Sequence, residues 1–572
     1  MGKNLNVDPK RNFSEWQRDL VLIAKNTCIW LVQLSKKYNT NIEHLDEIPD
    51  EEFQWLQSLG VTGLWLVGIW KRSPASQQIK ELYGRDHLVA SAYSILAYEI
   101  SEKLGGEKSL KKMEAQAMEY GIRLACDIVP NHTGIDADWV SKHPSWYISA
   151  EKKPHDAWSY KSPNLSRDPE AEIRIEDGYY DQVGAAETFQ VNFPKRGKKF
   201  FIYHGNDGTS MPWNDTAQLN YLRIDVRNAV KKIILDVARE FKIIRLDAAM
   251  TLIRRHFKRL WFPDAGDSSC IPTRQHNIIT QEEFDQKMPQ EFWFEVIQEL
   301  KQSAPDTLLM AEAFWLMEKY FIQDLGMHRV YNSAFMNQLR DEKNETLFKY
   351  LKDILQTDPT ILGKFINYMT TPDEMSAASL FGKEEKYFGI FGLMASLPGL
   401  PMIGHGQIEG YSEKYGMDFD KPMLNENPDF AFIEKHESLI TPLLKARKYF
   451  SNVENLRMFD FHENNGTPNR NVFIFSNRSG DFRTLIAYNN QRKSVKGTIQ
   501  ESIDQILNLQ TRKSGKESIR DALLIPNNMA EIRLTEFRKK SKLHFKQNDL
   551  KGGIQINLQP YELCVYSVDF ES

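Results

Sequence analysis

Over roughly the first 440 residues, short β-branched apolar runs alternate with segments whose apolar positions recur at helical spacing. This is the pattern of parallel strands connected by amphipathic helices. The clearest unit begins at Asn228, a candidate N-cap. Val230, Ile233, Ile234, Val237, Ala238 and Phe241 fall on one helical face, and the apolar run Lys242 to Met250 follows at once. An equivalent pair places Leu110, Met113 and Ala117 on a helix, Gly121 where it stops and Ile122 to Val129 on the next strand. Eight runs read as strands: Cys28 to Leu34, Thr62 to Gly68, Ile122 to Val129, Lys242 to Met250, Thr307 to Phe314, Val330 to Phe335, Phe365 to Thr370 and Leu400 to Gly404. Eight strands with helices between them predict an α/β fold, a (β/α)8 TIM barrel.

About ninety residues rich in Asp, Pro, Gly and Trp separate the third strand from the helix at Asn228, far too many for an ordinary connection, so they read as an inserted domain. Beyond about Phe450 the helical periodicity fades. The runs Val472 to Phe475, Thr484 to Tyr488, Ile554 to Leu558 and Cys564 to Val568, separated by polar turns, predict a C-terminal antiparallel β-sandwich. The expected organisation is a barrel over 1–132 and 223–450, an inserted domain over 133–222 and a sandwich over 451–572. The basic run Phe537 to Lys546 lies within the last of these and reads as a solvated strand face.

Composition narrows the function classes. The chain has 572 residues with 41% hydrophobic, 26% charged and 12% aromatic residues, enough to bury a large core. Lys+Arg 73 against Asp+Glu 77 leaves a net charge of -4, so the molecule lacks the electropositive surface that nucleic acid requires. Cys28, Cys126, Cys270 and Cys564 lie far apart without paired spacing, which argues against a disulfide framework or a zinc site. The N-terminus has no apolar h-region and no stretch has the uncharged length of a membrane span. The expectation is a soluble, cytoplasmic protein, or a secreted one if this is a trimmed mature form.

Function in such a barrel gathers at the C-terminal strand ends, and polar residues there stand out from apolar runs. The third strand ends in DIVPNH, with Asp127, Asn131 and His132; the fourth reads IIRLDA, with Arg245 and Asp247; the fifth ends AEAF, with Glu312; the seventh is followed by TTPDE, with Asp373. Side chains alternate along a strand, so Arg245 and Asp247 face the same way. A guanidinium beside a carboxylate favours its ionised form, as a carboxylate nucleophile needs. Glu312 sits among Leu308, Leu309, Met310, Ala311 and Phe314, apolar neighbours that favour a protonated carboxyl suited to a general acid. One ionised and one protonated carboxyl are the machinery of a glycosidase.

With these motifs in order, the chain resembles the α-amylase family, glycoside hydrolase family 13, of retaining hydrolases and transglycosylases. Asp127, Asn131 and His132 match its first signature, Arg245 and Asp247 its second, and Glu312 its third. The resemblance implies Asp247 as nucleophile, Glu312 as acid/base and Asp373 as the third catalytic acid. It also implies Tyr93, in AYSILAY, as the platform beneath the sugar ring, with Asp127, His132 and Arg245 as further substrate-binding residues. TAQLNY (Thr216 to Tyr221) and LPGLPMIGHGQIEG resemble two further family segments. Pro372 replaces the histidine that usually precedes the third acid, Ile408 a glutamate and Ala97 an aspartate. A Pro-Asp at that place is similar to the family's maltosyltransferases.

The resemblance implies hydrolysis of α-glucosidic, mainly α-1,4, linkages in oligosaccharide or polysaccharide α-glucans by double displacement. A transglycosylase and a catalytically silent glucan-binding protein on the same fold are the alternatives. The chemistry requires no cofactor. Calcium is left open, with Asn131 as the one nameable ligand, although such a cation wants six or more oxygens.

Overall fold

The computed structural model describes residues 13–571 apart from 86, 209–210, 267–271, 315–316, 527–528, 530 and 547–551; Cys270 and the first twelve residues, on which the sequence reading drew, lie outside the described residues. Eight parallel strands close into a barrel in sequential order: β1 (Leu22–Asn26), β2 (Gly63–Val67), β3 (Arg123–Ile128), β4 (Ile243–Leu246), β5 (Leu308–Ala311), β6 (Arg329–Tyr331), β7 (Phe365–Tyr368) and β8 (Leu400–Ile403). Closure is made where Leu22 and Ile23 of β1 lie opposite Met402 and Ile403 of β8. Except for Arg123, at the start of β3, every residue of these strands is buried, because helices cover the outside and side chains fill the inside.

Strand one is not where the apolar run predicts it. Cys28 to Leu34 lies within a helix, Thr27–Tyr38, and the strand is the preceding segment LIAKN. A short apolar run fits a buried strand or a buried helix equally well. Here Asn26 decides, its side chain accepting from the Ile29 N–H at 3.4 Å to start the helix. Lys25 disguises the true strand, being a charged residue that is fully buried and paired with Glu409 at 2.9 Å. The sixth strand is also shorter than expected. Asn332 accepts from the Phe335 N–H at 3.2 Å and opens the helix Ser333–Arg340, so Phe335 is helical. The helix expected to begin at Asn228 begins one turn earlier and spans Ile224–Glu240, with Asp225 in its first turn.

Between β3 and β4 the chain forms a four-stranded antiparallel sheet from Ser149–Ala150, Lys198–Tyr203, Thr188–Phe193 and Glu172–Ile175. It also forms a short pair in which Thr216–Gln218 lies against His132–Gly134. That pair ties the end of the insertion to the rim of β3. The C-terminal region is one eight-stranded antiparallel sheet, in the order β14-β13-β16-β11-β10-β9-β12-β15, built from β9 (Arg457–Glu463), β10 (Val472–Ser479), β11 (Phe482–Asn489), β12 (Val495–Ser502), β13 (Glu531–Glu536), β14 (Lys542–Lys546), β15 (Ile554–Leu558) and β16 (Leu563–Glu571). Phe461, Ile474, Leu485, Ile499, Leu534 and Ile556 from six of these strands share one apolar cluster, so the sheet wraps around its own core. The basic run ends on the edge strand β14, whose side chains are mostly exposed, as edge strands favour.

Candidate active site

Arg245 is the hub of the barrel's C-terminal end. Its Nη1 donates to Asp127 Oδ1 at 2.9 Å, to Asp247 Oδ1 at 2.7 Å and to the Tyr93 hydroxyl at 3.2 Å. Its Nη2 lies 3.1 Å from Glu312 Oε2 and 4.0 Å from Asp373 Oδ2, and its Nε donates to the Tyr331 hydroxyl at 3.2 Å. The guanidinium is buried, with its carbon 5.1 Å from the ring centre of Trp65, 5.3 Å from that of Tyr93 and 5.9 Å from that of Tyr331. One cation therefore holds three carboxylates at short range, and an aromatic box fixes the cation.

The barrel supplies these positions by register. Arg245 on β4 lies opposite Asp127 on β3 and Met310 on β5, so Asp127 and Arg245 point into the barrel at one level. Asp247 follows one residue beyond β4, with its N–H bonded to the Ile128 carbonyl at 2.9 Å. Ala248 then turns into the left-handed region (φ 44°), which an alanine enters only at a cost. The turn aims the Ala248 N–H at Glu312 Oε2, 2.9 Å away, and Thr251 Oγ1 holds the Ala248 carbonyl at 2.6 Å. Local strain thus links the residue after Asp247 to Glu312.

A cavity of about 690 Å³ opens over this cluster, lined by Asp247, Glu312, Asp373, Tyr93 and His132 together with Trp213, Phe314, Met250, Tyr179 and Glu374. Asp373 is the most open of the three acids, with 39% of its side chain exposed, and Lys414 donates to its backbone carbonyl at 2.6 Å. Burial, reinforced by the charges of Asp247 and Asp373 and opposed by Arg245, pushes the Glu312 carboxyl up to about 8. Burial also raises Asp127 to about 6, against the pull of Arg245 and the Trp65 indole, which donates to its Oδ2 at 2.9 Å.

Of three expected substrate contacts, Asp127 and Arg245 are not among the residues lining the cavity, whereas His132 is. Asp127 and Arg245 lie behind the cavity wall, buried beneath it, and reach a ligand only through the groups they hold. His132 lines the cavity, but both ring nitrogens face protein partners. Nε2 lies 3.2 Å from the Tyr93 carbonyl, which can only accept, and Nδ1 lies 3.4 Å from the Asn131 amide nitrogen. This network assigns the proton to Nε2, and burial lowers the imidazole's affinity for a second one. His132 therefore fixes the loop that carries Tyr93, and its ring packs on Trp213 at 5.2 Å.

Asn131 is fully buried and outside the cavity. It forms a reciprocal amide pair with Gln218: its Nδ2 donates to Gln218 Oε1 at 3.1 Å, and its Oδ1 accepts from Gln218 Nε2 at 2.9 Å. Each amide oxygen thus accepts one hydrogen bond from its partner, and no group of three or more His, Cys, Asp or Glu suited to a metal occurs among the described residues.

Sequence reasoning did not single out Trp65, Tyr331, Trp213 or Glu374. Trp65 is the signal that could have been used, an indole opposite Ala125 that reaches Asp127 from an otherwise aliphatic strand.

Comparison with known proteins shows the family. Residues 39–484 match the model of the alpha amylase catalytic domain, so the chain belongs to the α-amylase family, a family of glycosidases. Among curated relatives it is 24% identical over 428 residues to Maltase A1 of Drosophila melanogaster, covering 68% of this chain and 66% of that protein. It is 23% identical over 380 residues to Alpha-amylase 3 of Dictyoglomus thermophilum, covering 65% and 60%. The chain thus matches slightly less than two thirds of each relative's length. Two solved structures share the fold along nearly the whole chain. The alpha-amylase of Geobacillus thermoleovorans complexed with acarbose superposes with a TM-score of 0.60 at 14% identity, covering 98% of this chain and 100% of the other. The trehalose-6-phosphate hydrolase of Bacillus licheniformis superposes with 0.59 at 14% identity, covering 97% and 100%.

Proposed function

We propose that the protein is a retaining glycosidase acting on α-glucosidic linkages, mainly α-1,4, of malto-oligosaccharide or starch-type glucans. The observation that carries this reading is the single buried guanidinium shared by Asp247 and Glu312 beneath a cavity that Asp373 also lines. Sharing one cation favours the short separation, about 5–5.5 Å, of a retaining pair over the wider gap that an inverting enzyme needs for its water.

Asp247, held in place by the Arg245 Nη1 bond at 2.7 Å, attacks the anomeric carbon. Glu312, protonated at neutral pH because burial and its anionic neighbours disfavour its charge, delivers its proton to the departing glycosidic oxygen. The Ala248 N–H and Arg245 Nη2 both face Glu312 Oε2, so they hold the carboxyl in place and stabilise the carboxylate it becomes. The same carboxylate then takes a proton from water, or from a sugar hydroxyl, as the covalent glycosyl-enzyme is released with retained configuration. Tyr93 offers a ring face to the sugar's C–H face, and Asp373, the most exposed of the three acids, binds its hydroxyls.

The test is the product profile on maltoheptaose, followed over time beside the Asp247→Asn variant. Shorter sugars formed by the parent protein and not by the variant support hydrolysis. Products longer than the substrate make sugar the acceptor, and equal turnover by both proteins overturns the assignment of Asp247.

A further inference from the structure

The cavity over Asp247 is walled on one side by two loops that meet across the barrel rim. The connection after β2 gives Lys80, Tyr83, Ser91 and Tyr93 to the lining, and the segment after β8 gives Met417 and Asp418. The two are zipped together. The Val89 N–H donates to the Asp418 carbonyl at 2.9 Å and the Ala92 N–H to the Met417 carbonyl at 3.0 Å, while Lys80 Nζ donates to Asp418 Oδ1 and to the Val89 carbonyl, each at 2.6 Å. Only 14% of the Lys80 side chain is exposed, so salt and water screen the pair weakly. The same connection is fastened to the inserted segment, where Ser76 Oγ donates to Asp215 Oδ2 at 2.6 Å and the Tyr83 ring lies 5.1 Å from that of Tyr179.

Strand order places this wall. β2 and β8 both neighbour β1, so a clasp between the segments that follow them passes over β1. β5, which leads into Glu312, stands opposite, four strands away in either direction around the closed ring. A glycosidic oxygen departs toward the acid that protonates it. The leaving part of a glucan therefore runs out on the Glu312 side, and the part kept on Asp247 points to the clasp. The zipper ends at Ala92, one residue before Tyr93, so the wall stands directly beside the platform for the ring being cut. No residue described after β6, the neighbour of β5, lines the cavity, so the leaving part meets no matching wall there.

We infer that the Lys80–Asp418 clasp is a stop on the non-reducing side of the cut, so that the enzyme takes α-glucan chains by a free non-reducing end and removes one short unit at a time. The choice of α-glucan and of Glu312 as the acid rests on the function proposed above. Asp418 lines the cavity with 37% of its side chain exposed, and its carboxylate accepts from the hydroxyls of a terminal glucose. An internal glucose carries a further sugar in place of one of those hydroxyls, and that sugar would have to occupy the space of the clasp.

The test gives the full-length protein maltoheptaose, either free or with its terminal non-reducing glucose capped by an ethylidene acetal, and separates the early products by chromatography. The free chain should yield one short product and its complement, and the cap should lower kcat/KM about a hundredfold. Lys80→Ala and Asp418→Ala, made separately so that one remains if the other misfolds, should each raise kcat/KM on the capped chain relative to the free one by about tenfold. Equal cleavage of both chains by the parent protein, or a ladder of sizes among its first products, overturns the stop. A capped-to-free ratio that neither variant moves overturns the role of the pair. Cleavage of neither chain overturns the catalytic reading instead, and calorimetry of the parent protein then decides the stop. The free chain should bind about tenfold more tightly than the capped one, and equal binding overturns it.

Discussion

Arg245 shows how one side chain sets the chemistry of several others. It is buried, boxed by Trp65, Tyr93 and Tyr331, and bonded to Asp127 and Asp247, with Glu312 at 3.1 Å, so its charge is spent wholly within the cluster. Replacing it with methionine leaves buried carboxylates without a counter-charge. A loss of about 3–5 kcal/mol is expected, read as a lower denaturation midpoint, together with loss of turnover. Glu312 carries the pH dependence. Its carboxyl is raised to about 8, so the acid form falls away as pH rises through that value, and kcat/KM should decline above about pH 8. The sign for stability follows from the same shift. A carboxyl raised by folding stabilises fully below its unfolded value and loses that contribution as pH rises towards about 8. Glu312→Gln, which cannot ionise, should therefore abolish turnover yet raise the thermal midpoint at pH 8 by about 2 °C, with no gain at pH 4.

Among the elements, the strand ends place the reactive groups and the turns beyond them finish the work. The left-handed Ala248 is such a turn, spending backbone strain to direct an N–H at Glu312. Helix ends matter equally. Arg447 is buried and donates to the carbonyls of Ala395, Leu397 and Gly399, which closes the helix Glu385–Ser396 and leads the chain into β8. Arg447→Met removes these bonds and strands three carbonyls. Unfolding in urea should show a loss of about 2–4 kcal/mol, while KM on maltoheptaose stays within twofold because Arg447 is not among the residues lining the cavity.

For the whole molecule, the relation between barrel and C-terminal sheet depends on two glycines in that same helix. A Cβ at Gly389 would collide with the Tyr561 carbonyl and the Tyr488 ring, and one at Gly392 with the Leu563 side chain. Gly389→Val should therefore push the sheet off the helix, seen as faster proteolysis between barrel and sheet and a fall of several degrees in the thermal midpoint. The inserted segment is joined to the barrel by the Asn131–Gln218 amide pair, by the Tyr221 hydroxyl on the Pro130 carbonyl at 2.6 Å, and by Ser73 on Asp136 at 2.5 Å. No group of three or more His, Cys, Asp or Glu accompanies that pair among the described residues, so chelator treatment should change activity by no more than about a tenth and leave the thermal midpoint in place.

Residues close in sequence, or repeated with a strand's or helix's period, were legible before any coordinates. The Arg245–Asp247 pair shares a face because strand side chains alternate, and Glu312 ends an apolar run whose burial is the largest cause raising its carboxyl. Alternating periods likewise determine the barrel, although an apolar run such as Cys28 to Leu34 fits helix and strand alike until Asn26 caps it. Tertiary structure decided what no local pattern carries. It brought Tyr331 and Trp65 around Arg245, paired Asn131 with Gln218 87 residues on, and set Glu409 against Lys25, its partner 384 residues away. Periodicity records which face of an element is buried, whereas the partner met on that face depends on how all the elements pack.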